Sequence, residues 1–129
     1  MKIIKSLFAF AAIFTLNSSS AQSITEKWPQ IKAYHDVMVK SFHSSEAGNL
    51  ESIKMNSALL LEKAEALSVE TMPEEFRSPK LIESLVLLKK ETKTVNELVL
   101  QKAADSQIIE ALSKLHETFH KIAGMCQAV

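Results

Sequence analysis

What the chain lacks narrows it first. A single cysteine, Cys126, excludes any internal disulfide. Two glycines and three prolines in 129 residues leave few places where the backbone is forced to turn. Neither sign of charge is in excess, with 15 basic and 15 acidic side chains, so nothing in the balance recruits nucleic acid or anionic lipid. Long apolar runs are missing after the first twenty residues, which leaves no candidate membrane span in the body of the chain.

The one apolar run, Leu7 to Leu16, is ten residues long and too short for a permanent anchor. Lys2 and Lys5 precede it, and Ser19, Ser20 and Ala21 put small side chains behind it. That is the layout of a secretory signal peptide, residues 1–21, with cleavage expected before Gln22. No cysteine stands near the cut to carry a lipid. The expected product is an exported protein, periplasmic or secreted, with no membrane anchor. Its 108 residues (129 less 21) are one domain, with 13 basic against 15 acidic side chains once Lys2 and Lys5 are gone.

Apolar residues in 22–129 recur at three-four spacing, never in alternation, so every element is expected to be helical. The first helix should open at Trp28-Pro29, with proline in its first turn, and bury Ile31, Tyr34, Met38 and Phe42. Asn49 should cap a second helix carrying Leu50, Ile53, Ser57, Leu60, Ala64 and Leu67. After a connection over 68–78, Ser78 should cap a third helix that begins at Pro79 and buries Leu81, Leu85, Leu88, Thr92, Val95 and Val99. Asp105 should cap the fourth, with Ile108, Leu112, Leu115, Phe119 and Ile122 inward and Gly124 ending it in a left-handed turn. Four such helices on short connections predict an all-α, antiparallel up-down-up-down four-helix bundle. Trp28 and Tyr34 should close one end of it, and Lys89, Lys90, Glu91, Lys93 and Glu97 should form a solvated face.

Four histidines stand out against this background. His35 and His43 lie on the first helix, His116 and His120 on the last, and none falls in the 72 residues between the two clusters. Imidazole is the commonest protein ligand for transition metals and for haem iron. At 100° per residue, His35 lies about 40° and His43 about 120° from Ile31, while His116 and His120 lie about 80° and 120° from Ile108. All four are rotated the same way from their core stripes, so they either face one another across the first–last seam or all face away. The facing arrangement is the expectation. By helical rise, His35, His116 and His120 should be level, and His43 about two turns off. The metal-ligand set is therefore expected to be His35, His116 and His120, with His43 as fourth member. A lone histidine in an apolar stripe is ordinarily a hydrogen-bonded core residue, whereas an i, i+4 pair such as His116 and His120 can chelate from one helix.

His116-Glu117-Thr118-Phe119-His120 also matches the metalloprotease string His-Glu-x-x-His. Glu117, about 180° from the core stripe, should point to solvent, and an all-helical domain offers no sheet edge to bind a peptide. No nucleophile–base constellation is present, so an enzyme is not expected. Met38 and Met55 are thioether candidates for haem iron or Cu(I), with core packing the default for Met38. Cys126 is a free thiol, a soft ligand, or a handle for an intermolecular disulfide.

The order of parts, with His120 near the end of the last helix and His35 and Met38 near the start of the first, resembles the soluble periplasmic b-type cytochromes and their cytochrome c′ relatives. It is similar as well to small exported bacterial helical bundles with paired histidines on their end helices. The cytochrome resemblance implies a haem b between the first and last helices, ligated by His120 and by His35 or Met38. Cys-x-x-Cys-His is missing, which excludes covalent haem, and the surplus of histidines favours a directly coordinated ion. The expected function is thus an exported metal-binding protein holding Zn, Cu, Ni or Fe through His35, His116, His120 and His43. The alternative is a non-covalent haem-b electron-transfer protein, and the third reading is a structural or partner-binding bundle. Partners are limited to the metal ion and a second copy, through Cys126 or an exposed helix face.

Overall fold

The computed structural model describes residues 20–127, with side chains from Ile24 to Cys126. The body of the expected signal peptide, residues 1–19, lies outside the described residues. Among those described, every regular element is helical: α1 (Ser20–Lys27), α2 (Pro29–Glu46), α3 (Glu51–Glu65), a 3₁₀ turn (Glu74–Phe76), α4 (Pro79–Leu100) and α5 (Asp105–Gln127). None of these helices is long and apolar enough to cross a membrane. The expected all-helical class is what is found.

The helix starts follow simple backbone chemistry. Trp28 closes α1 by donating its N–H to the Ile24 carbonyl and opens α2 by accepting from Ile31 and Lys32. Pro29, without an N–H, takes the first position of α2 at no cost. Ser78 Oγ accepts from the Leu81 N–H at 3.1 Å, so the cap on α4 falls where the sequence puts it. Asn49 Oδ1 accepts from Glu51, one residue off the expected register, with Leu50 at the N-cap itself. Asp105 is not a cap. It is the first residue of α5, and its carboxylate pairs with Lys54 at 3.0 Å. The N–H of Ala104 is instead satisfied by the side chain of Gln107, the reach-back half of a capping box.

Two helices end in Schellman turns. After α2, Asn49 donates to Ser44 and Gly48 to Ser45, with Gly48 at φ 85°. After α4, Ala103 donates to Leu98 and Lys102 to Val99, and the left-handed position is filled by Lys102 at φ 55°. Gly124 does not end α5. The helix runs through it to Gln127. Ala123 and Cys126 are buried in this last stretch and α1 packs on α5, which outweighs the roughly 1 kcal/mol cost of a mid-helix glycine. Helix α1, which precedes the expected first helix at Trp28-Pro29, thereby becomes part of the fold.

Along the chain α2 packs on α3, α3 on α4 and α4 on α5, while α1 packs against both α2 and α5. The inward stripes match expectation nearly throughout. Ile53, Leu60, Leu88, Leu112, Leu115 and Ile122 are completely buried, and Leu85 and Phe119 almost so. Two positions differ. On α2 the inward line ends in Ser41 and Ser45, which satisfy their hydroxyls on the Val37 and Phe42 carbonyls, and Phe42 turns half out. Val99 is also only half-buried.

Polar groups inside the core are paired. Trp28 Nε1 donates to Thr71 Oγ1 at 3.3 Å, pinning the α1–α2 junction to the 66–78 connection, in which Met72 and Phe76 are also buried. Tyr34 is not an end plug but a central residue, stacked on Phe119 and hydrogen-bonded to Thr92 on α4. The face of α4 expected to be wholly solvated is not. Lys89 reaches the Leu67 carbonyl, and half-buried Glu91 accepts from Thr118 of α5.

Candidate functional site

Between α2 and α5 runs a groove of about 510 Å³. Its lining includes all four histidines of the chain, His35, His43, His116 and His120. Met38, Val39, Phe42, Glu46 and Phe119 complete it. The two helices touch over a short stretch only, so the seam stays open towards solvent.

Ring stacking sets the register of this seam. Phe42 of α2 lies on His116 of α5 with centroids 3.8 Å apart and planes within 5° of parallel. His35, two turns earlier on α2, stacks on Phe119 at 5.0 Å. Each helix thus lends a phenylalanine to hold one imidazole of the other. The same pairs correct the heights expected from helical rise. His35 is level with Phe119 and His120, whereas His116 is level with Phe42 and His43. His43 therefore also lines the groove, because its neighbour Phe42 stands on His116.

On α5 the i, i+4 spacing brings the two imidazoles into contact. His116 Nε2 and His120 Nε2 are 3.2 Å apart, with the rings nearly perpendicular. One nitrogen donates and the other accepts, so in this arrangement one ring carries its proton on Nε2 and the other does not. On α2, His43 Nδ1 stands 3.5 Å from a carboxylate oxygen of Glu46, and both side chains are well exposed.

Burial depresses the pKa of His35, with its acidic neighbour Asp36 opposing and the His120 charge adding to the effect. His116 is depressed as well, first by burial and then by His120, against the opposing pull of Glu46. Both imidazoles are therefore biased to the neutral form, the form that ligates metals.

Met38 forms part of the groove wall but belongs to the core, only 1% exposed. Met55 is 78% exposed on α3 and is not part of the groove. Cys126 lies outside it too; the residue is buried, and burial pushes its thiol up to about 11. Glu117 is exposed and off the groove, as its helical angle requires. Among the described residues, no three histidine, cysteine, aspartate or glutamate side chains are gathered closely enough to hold a metal ion as they stand. The paired unit in place is His116–His120, with exposed His43 and half-buried His35 beside it on the same groove.

Helical periodicity points to every histidine but not to Glu46, the groove's other polar member. Glu46 was legible as a carboxylate one turn after His43 on the same helix. Phe42 and Phe119 belong to the core stripes by periodicity, and each also adjoins a histidine in the sequence. Comparison with protein-family models, with curated proteins and with solved structures finds no match to this chain.

Proposed function

We propose that the chain is an exported, small metal-binding protein, an antiparallel up-down-up-down four-helix bundle extended by α1. It binds a transition-metal ion reversibly through histidines of its first and last long helices. The observation that carries this reading is the 3.2 Å between His116 Nε2 and His120 Nε2. Two nitrogens each about 2.05 Å from one tetrahedral zinc are separated by about 3.3 Å, so the pair stands at the spacing of adjacent ligands. His35 and His43, on the facing helix and lining the same groove, are the further donors. Rotation of the exposed His43 side chain about its own bonds brings a further nitrogen to the ion that the pair holds. The protein's chemistry in this reading is capture and release.

The test is calorimetric titration of the mature protein with Zn, Cu and Ni, beside a His116→Ala/His120→Ala double variant. Binding by the first and its loss in the second is the expected result. Metal at a hundredfold excess over Kd should also stabilise the fold by about 2.7 kcal/mol, read as a raised Tm. Negligible heats for both proteins would refute direct metal binding. A Soret band on haem addition that requires His120 would move the assignment to a haem-b protein.

A further inference from the structure

We propose that Glu46 is the carboxylate member of this site, so that the ion is a borderline divalent cation held by imidazole nitrogen and carboxylate oxygen, with no sulfur ligand. The inference rests on the metal-binding reading of the groove and specifies its ligand set and its class of ion.

Three observations converge on Glu46. It is the one carboxylate that lines the groove with the four histidines; Asp36 and Glu117, on the same two helices, do not. It is the last residue of α2, where the carbonyl end of the helix dipole disfavours an anion. Among the described residues its one ion-pair partner there is His43, which carries charge only when protonated. An acidic side chain thus sits at the unfavourable end of a helix, on the wall of a groove lined by imidazoles. A bound cation would offset that placement. The third observation is placement: Glu46 and His116 stand on facing helices and line the same groove.

The donor chemistry then restricts the ion. Imidazole and carboxylate suit Zn(II), Ni(II) and Cu(II), whereas thiolate and thioether select Cu(I). The one thiol, Cys126, is off the groove. The one thioether on its wall, Met38, is packed in the core at 1% exposure. Four neutral imidazoles bring no charge to a dication, so Glu46 is also the only negative charge that the lining offers.

Titrating the mature protein with Zn(II) against a competing chelator, beside Glu46→Gln and Met38→Leu, separates the alternatives. Glu46→Gln should weaken Zn(II) binding about tenfold or more, and Glu46→Asp should restore part of the loss. Met38→Leu, a volume-conserving change, should leave it unaltered. Wild-type affinity in Glu46→Gln, with binding still lost in His116→Ala/His120→Ala, would overturn the role of Glu46 and leave the functional reading intact. Binding that fails in Met38→Leu while the variant keeps its helical circular dichroism would overturn the nitrogen–oxygen ligand set. No binding by the wild type would refute the functional reading itself.

Discussion

The hydrogen bond between Tyr34 and Thr92 ties α2 to α4 at the centre of the molecule, and its two halves are not equivalent. Both residues are fully buried and their oxygens are 2.9 Å apart. The Thr92 hydroxyl has one proton and already spends it on the Leu88 carbonyl at 2.7 Å. Tyr34 is therefore the donor in the pair. Tyr34→Phe deletes that donor and leaves no other donor unpaired, since Thr92 keeps its bond to Leu88. Its expected cost is about 0.5–1.5 kcal/mol, the net worth of one hydrogen bond. Thr92→Val has nearly the same shape but strands the phenolic O–H in an apolar core, and should cost about 1–3 kcal/mol. The double variant buries neither an orphan donor nor an orphan acceptor, so it should be more stable than Thr92→Val alone. Urea denaturation of all four proteins measures this directly, with an unchanged slope showing that the unfolded states are comparable. Against a total stability of about 5–15 kcal/mol such differences are readily resolved. Equal costs for the two single variants, simply adding in the double, would show that the donor assignment is wrong.

Leu112→Ala, at a fully buried position of α5, should cost about 2–5 kcal/mol, while Leu100→Ala, 71% exposed, should stay within about 0.5 kcal/mol; urea midpoints check both. Lys102→Gly should stabilise by about 1 kcal/mol, because Lys102 holds the left-handed position after α4 with a φ of 55° that glycine adopts freely, and thermal melts would register it. Stability should fall as pH is lowered from about 6.5, the ordinary histidine value. The reason is that His35 and His116 have depressed pKa values in the fold, so the unfolded chain takes up their protons first; the loss runs from the unfolded value down to the folded ones and then levels off. Replacing both by Gln should flatten the dependence between pH 7.5 and 5.5 in apo protein.

The helical class and nearly every inward position are written in the sequence itself. A three-four spacing can be satisfied only by a helix that buries one stripe, so Leu50 to Leu67 and Ile108 to Ile122 needed no tertiary information. Ser78-Pro79 is equally local, since a hydroxyl acceptor and a missing N–H act on their own first turn. The places where local reasoning fails are those where a distant partner competes. Asp105 prefers Lys54 to its own helix end. Gly124 stays helical in a stretch where Ala123 and Cys126 are buried. Lys89 and Glu91, charged and apparently on a solvent face, bond to the Leu67 carbonyl and to Thr118.

The candidate site divides along the same line. The i, i+4 pair His116/His120 follows from helix geometry alone, and so does the shared flank of the four histidines. Whether that flank faces the seam or solvent is an even choice from sequence, because a rotation about one helix axis does not say what lies opposite. Packing made that choice, placing all four imidazoles on one groove. It also set the register, through Phe42 on His116 and His35 on Phe119, and so put Phe42 and its neighbour His43 at the level of His116. Periodicity along one chain determines which residues share a face. Only side chains meeting across two helices decide how those faces slide, and with them which donors share a site.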